Sequence, residues 1–68
     1  MATIYVKIGE RIRKLRKKAG LSQLQLAEKA KLDLTSISEI ESGLRNSSTR
    51  SLHKIALALK VPLKELFS

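Results

Sequence analysis

Four breaks cut this chain of 68 residues into pieces too short to be anything but single short elements: Gly20, Lys31 with Leu32, residues 43–48, and Val61 with Pro62. Between the breaks, apolar residues recur at steps of three and four, the spacing of a helix that buries one stripe. Such stripes must pack on one another, because a chain of this size removes only ~60% of its unfolded surface from water. There is no cysteine, so neither a disulfide nor a thiolate zinc site assists folding. Tyr5 and Phe67 are the only aromatic residues, which leaves the core to Leu, Ile, Val and Ala. The pattern therefore predicts an all-α bundle of five short helices in a single domain over residues 1–68.

The first helix is expected over residues 8–19, with Ile8, Ile12, Leu15 and Ala19 as its stripe and Gly20 as a left-handed stop. Residues 3–6 have two readings. Ile4 continues the spacing to Ile8, whereas Thr3, Ile4, Tyr5 and Val6 together are also β-prone, and Gly9 weakens a longer helix. The second helix begins at a Ser22-x-x-Gln25 capping box, with Leu21 able to close on Leu26. Leu26 and Ala27 set its inward face, Leu24 is a further packing candidate, and the helix ends near Ala30. Asp33 is the cap expected for the third helix. There Ile37 and Ile40 face inward, Gly43 is the stop, and Thr35, Ser38, Glu39 and Ser42 form an opposite polar face. Ser47, Ser48 or Thr49 caps the fourth helix, whose stripe is Leu52, Ile55, Ala56 and Leu59, with Leu57 outside it. Pro62 opens a last short helix through Leu63, Leu66 and Phe67.

Fourteen Lys and Arg against six Asp and Glu give a net charge of +8, which calls for a polyanionic partner. Half of the cations fall on the first helix or just before it: Lys7, Arg11, Arg13, Lys14, Arg16, Lys17 and Lys18. No apolar run reaches the ~20 residues of a membrane span, and the start of the chain lacks a signal-peptide pattern, so the expected location is the cytoplasm.

The second helix, the short turn at Ala30, Lys31 and Leu32, and the third helix make a helix-turn-helix unit, with its core at about residues 22–43. In such a unit the second member enters the major groove, and small Thr and Ser side chains let its axis come close to base edges. From Ile8 to Phe67 the chain resembles the Cro/CI-like (XRE-type, lambda-repressor-like) family of helix-turn-helix DNA-binding regulators. The resemblance rests on Ile8, Gly9, Glu10, Arg11, Ile12, Arg13, Lys14, Leu15 and Arg16, then on Gly20, Leu21, Ser22, Gln23, Leu26 and Ala27. It continues through Ile37, Ser38, Ile40, Glu41, Ser42 and Gly43, then Arg45 and Asn46, and finally Lys54, Ile55, Ala56, Ala58 and Leu59. The run from Leu32 to Ser38, with Arg45 and Asn46, looks most like the controller proteins of restriction–modification systems.

The resemblance implies roles for individual residues. Leu34, Thr35, Ser36, Ser38 and Glu39 occupy the positions that read bases. Ser22, Gln23, Arg45 and Asn46 occupy those that hold the DNA backbone, where hydroxyl, amide and guanidinium donors suit phosphate oxygens. Arg16 and Glu41 would form a partly buried ion pair. Two residues depart from the pattern. Leu34 stands where relatives often carry Arg or Gln, and an apolar side chain there suits a thymine methyl. Glu39 brings a negative charge to the groove, where it either accepts from cytosine N4 or points away.

The expected assembly is a homodimer on palindromic double-stranded DNA, with Leu57, Leu63 and Phe67 as interface candidates; Phe67 equally suits its own core. No enzyme is expected. His53 has no nucleophile elbow or base partner, and neither a phosphate-binding glycine loop nor metal-ligand spacing occurs. No cofactor, metal or small-molecule ligand is expected, and with no ligand-sensing domain, regulation would run through protein concentration. Two other functions compete. An antitoxin would share the fold but often adds a partner-binding tail. A cationic membrane-surface protein would need the apolar stripe of the first helix, which the bundle buries.

Overall fold

The computed structural model describes residues 3–68. Four α-helices, α1 (Ile4–Lys18), α2 (Gln23–Ala30), α3 (Leu34–Ser42) and α4 (Thr49–Leu59), are followed by a 3-10 helix at Leu63–Phe67. No strand occurs among the described residues. The expected fifth α-helix is thus corrected to a single tighter turn: Pro62 lacks an N–H and sits outside it as the capping residue, and five residues allow little beyond i to i+3 bonding.

Each α-helix begins on a side-chain cap. The Thr3 hydroxyl accepts the Val6 N–H at 3.3 Å, so residues 4–6 are helical and α1 starts earlier than residue 8. Ser22 accepts from the Gln25 N–H at 3.0 Å while the Gln25 side chain accepts from the Ser22 N–H at 2.8 Å. Asp33 and Ser48 cap α3 and α4 through the N–H groups of Ser36 and Ser51, both at 3.1 Å. The helices stop in left-handed residues: Gly20 and Gly43, and also Lys31 and Lys60, with φ of 58° and 60°. Those two lysines carry no sequence signal for that conformation; neighbouring Leu32 and Val61 pack against the core and fix where the chain must turn.

The core joins Ile8 and Ile12 of α1, Leu26, Ala27 and Ala30 of α2, Ile37 and Ile40 of α3, and Leu52, Ile55, Ala56 and Leu59 of α4, with Leu66 closing one end. Leu24, a packing candidate from sequence, is instead exposed. α1 lies against α3 and the 3-10 helix, and α2 against α3 and α4. The α1–α3 contact is close because Gly9 has no side chain: a Cβ there would lie 2.6 Å from the Glu41 carbonyl oxygen and nearer still to that of Ile40. At the same crossing Gly43, at φ 75°, faces Val6, which settles the helical reading of residues 3–6 by packing. Arg11 pins the 3-10 helix, its Nε donating to the Glu65 carbonyl at 2.9 Å and a terminal nitrogen to the Glu65 carboxylate at 3.0 Å. No helix among the described residues is long and apolar enough to cross a membrane.

Candidate nucleic-acid interface

The buried side of α3 is settled by Ile37 and Ile40, so its other side is delivered to solvent. Thr35, Ser38 and Ser42 are exposed, Leu34 is 45% exposed, and Ser36 and Glu39 are half-buried. The face is short and mostly built of small residues. Residues 22–43 carry four acids and two cations, so this unit has no excess positive charge of its own.

Asp33 anchors the leading end of that face. The hydroxyl and then the backbone N–H of Ser36 hold its carboxyl below the ordinary value of 3.8, with Arg45 adding to the effect and slight burial opposing it. A lowered native value means that the ionised cap stabilises the fold above pH 3.8 and that this stabilisation is lost as pH falls through the native value. The melting-temperature advantage of the wild type over Asp33→Asn, a neutral residue that still caps, should therefore be present near neutral pH and be lost in acid, as pH falls below 3.8 and through the lowered native value. An advantage that persists unchanged into acid would show that the charge plays no part.

Behind the face, Arg16 and Glu41 meet in the interior, with side chains only 9% and 3% exposed. Arg16 Nε donates to Glu41 Oε2 at 2.6 Å and Nη2 to Oε1 at 3.1 Å, while Nη1 donates to the Leu21 carbonyl at 2.8 Å. One guanidinium thus ties α1 to α3 and to the loop before α2. Gln23 joins the cluster, its Nε2 donating to Glu41 Oε1 at 3.1 Å. This bond was not legible in sequence, since the two residues are 18 positions apart. It leaves one Gln23 N–H free at the N-terminus of α2, beside the Ser22 cap.

Arg45, in the loop after α3, folds back on the helix: Nη1 donates to the Ser36 hydroxyl at 2.7 Å and lies 3.5 Å from Glu39 Oε1. Glu39 therefore has a cation beside it on the face and is not an isolated negative charge. Asn46 is exposed, as is Arg50 in the first turn of α4; sequence reading passed over Arg50 because no pattern set it apart from other surface cations. His53 is exposed on α4. The three interface candidates separate: Leu57 is 65% and Phe67 53% exposed, whereas Leu63 is half-buried against the core. Leu66, fully buried, takes the core position that Phe67 had been thought able to fill.

A family model described as "Helix-turn-helix domain" matches residues 9–68. The chain is 45% identical over 69 residues to the control protein C.MunI of Mycoplasma sp, covering all of this chain and 93% of that protein. Among solved structures, the restriction–modification controller protein C.AhdI of Aeromonas hydrophila superposes with a TM-score of 0.91 at 43% identity, covering 93% of this chain and 96% of that one. The biofilm regulator SinR, solved in complex with DNA, superposes with a TM-score of 0.85 at 39% identity, covering 90% of this chain and 98% of that one. With its paired short helices, its capped recognition segment and these likenesses, the chain belongs to the Cro/CI-like helix-turn-helix family, whose members are DNA-binding transcription regulators and not enzymes.

Proposed function

We propose that the chain is a sequence-specific double-stranded-DNA-binding regulator of the restriction–modification controller type, working in the cytoplasm as a homodimer on a palindromic operator. The observation that carries this reading is the solvent-facing α3 surface of Leu34, Thr35 and Ser38 beside the Arg45–Ser36–Glu39 cluster. Leu34 meets a thymine methyl, Thr35, Ser36 and Ser38 offer hydroxyls to base edges, and Glu39 accepts from cytosine N4. Ser22, the free Gln23 amide hydrogen, Arg45 and Asn46 hold phosphates on either side. The exposed Leu57 and Phe67, with Leu63 behind them, supply the apolar contact between two copies. A two-fold pair presents its α3 helices to half-sites about 34 Å apart.

Selecting bound duplexes from a random pool tests the whole reading: a palindrome should emerge, and its affinity should fall steeply with salt. With the wild-type operator known, Glu39→Ala should relax the preference at one base pair in each half-site by roughly 5- to 100-fold, the range of one good base contact. If Glu39→Ala keeps both the preferred base and the affinity, the cytosine contact is wrong. If no sequence is enriched, the function is wrong.

A further inference from the structure

Apart from Arg16, the cations of α1 take no part in the site described above. α1 holds seven of the fourteen cations of the chain and one of its six acids, whereas the helix-turn-helix unit is formally acidic. Arg16 is buried against Glu41 and Arg11 is tied to Glu65. Lys7, Lys14 and Lys18 are exposed and form no ion pair among the described residues. At 100° per residue they lie ~140–180° around the helix from Gly9, the residue in contact with α3. They therefore make a stripe ~16 Å long facing away from the recognition helix.

We propose that the stripe of Lys7, Lys14 and Lys18 is a second, sequence-independent binding surface for duplex DNA, so that one molecule joins two duplex segments. About 16 Å of duplex carries roughly nine phosphate charges, a density that three unpaired ammonium groups on one helix face complement. The chemistry of the stripe disfavours other occupants. Its one aromatic neighbour, Phe67, lies at the Lys7 end only, in a groove shared with Ile4, so no row of aromatic side chains follows the stripe on which successive single-stranded bases could stack. The apolar stripe of α1, which a membrane surface would require, is sealed in the core at Ile8 and Ile12. Only the assignment of the first duplex rests on the proposed reading of α3; the stripe stands on its own charges.

The test uses the full chain with Lys7, Lys14 and Lys18 all changed to Gln, and a companion with all three changed to Arg. An immobilised duplex enriched from the random pool is loaded with protein and asked to capture a labelled duplex of unrelated sequence. The wild type and the Arg variant should capture it. The Gln variant should lose about tenfold in capture, keep its affinity for the immobilised duplex within about threefold, and melt normally. The slope of log capture against log salt should become shallower by about 2.7, at 0.9 per phosphate contact. The proposal is overturned if the wild type captures no second duplex, if the Gln variant captures as well as the wild type, or if capture and primary binding fall together. It is equally overturned if wild-type protein sediments with phosphatidylserine vesicles but captures no duplex. Should the pool yield no enriched sequence, the reading of α3 fails while the stripe is still decided: the Gln variant must then bind random duplex about tenfold more weakly than wild type.

Discussion

Glu41→Ala should lower the melting temperature by at least about 12 °C. The substitution leaves the Arg16 guanidinium in the interior with two of its three hydrogen-bond groups unpaired, only the bond to the Leu21 carbonyl surviving. Breaking a buried pair from one side costs about 3–5 kcal/mol, and a domain of this size loses about 4–8 °C per kcal/mol. At roughly 0.05–0.15 kcal/mol per residue, total stability is only about 3–10 kcal/mol, so the loss removes about a third of it or more and, at the lower end, leaves the variant largely unfolded. Gln23 loses its partner as well, so the residual folded protein should also grip DNA less well. The double change Arg16→Met with Glu41→Leu removes both charges and should recover most of the loss. Circular dichroism melts decide: a shift of less than about 4 °C for Glu41→Ala would mean that the pair is effectively solvated.

Gly9→Ala should destabilise even though alanine is the better helix former by about 1 kcal/mol. The added methyl meets backbone, the carbonyls of Ile40 and Glu41, which move only if α3 moves. Such overpacking costs about 1–3 kcal/mol, and at the upper end it outweighs the propensity gain by about 2 kcal/mol, or roughly 8–16 °C. Because the displaced element carries Thr35 and Ser38, operator affinity should fall further than the lost stability explains. Gly20→Ala, where nothing lies within 4 Å of the added atom, incurs only the left-handed backbone penalty of about 1 kcal/mol. A Gly9→Ala protein that melts at or above the wild type would show that α1 and α3 do not touch at this point.

Local grammar made most of the architecture readable. The caps at Ser22 and Asp33, the glycine stops and the stripes through Ile12, Ile37 and Ile55 act over three or four residues, so sequence displays them directly; for α4 it offered three candidates, of which Ser48 is the cap. The same holds for the polar side of α3, which follows from knowing which side is apolar. The readings that sequence left open were decided where distant segments arbitrate. Residues 4–6 are helical because Val6 packs beside Gly43; Leu24 is exposed because α2 turns its other side to α4; and Leu66, not Phe67, fills the end of the core.

Sequence by itself determined that this chain is a bundle of short capped helices with a small polar face on α3 and a surplus of positive charge. Hydrogen-bonded caps and helical periodicity are near-neighbour physics and need no tertiary contact to be specified. Only the tertiary structure decided how the charges are used. It buried Arg16 on Glu41, brought Gln23 to the same carboxylate, folded Arg45 onto Ser36 and Glu39, tied Arg11 to Glu65, and left the lysine stripe of α1 facing away from α3. Those pairings depend on which helices cross and how closely, and that is fixed by the absence of a side chain at Gly9 and by the shape of an aliphatic core.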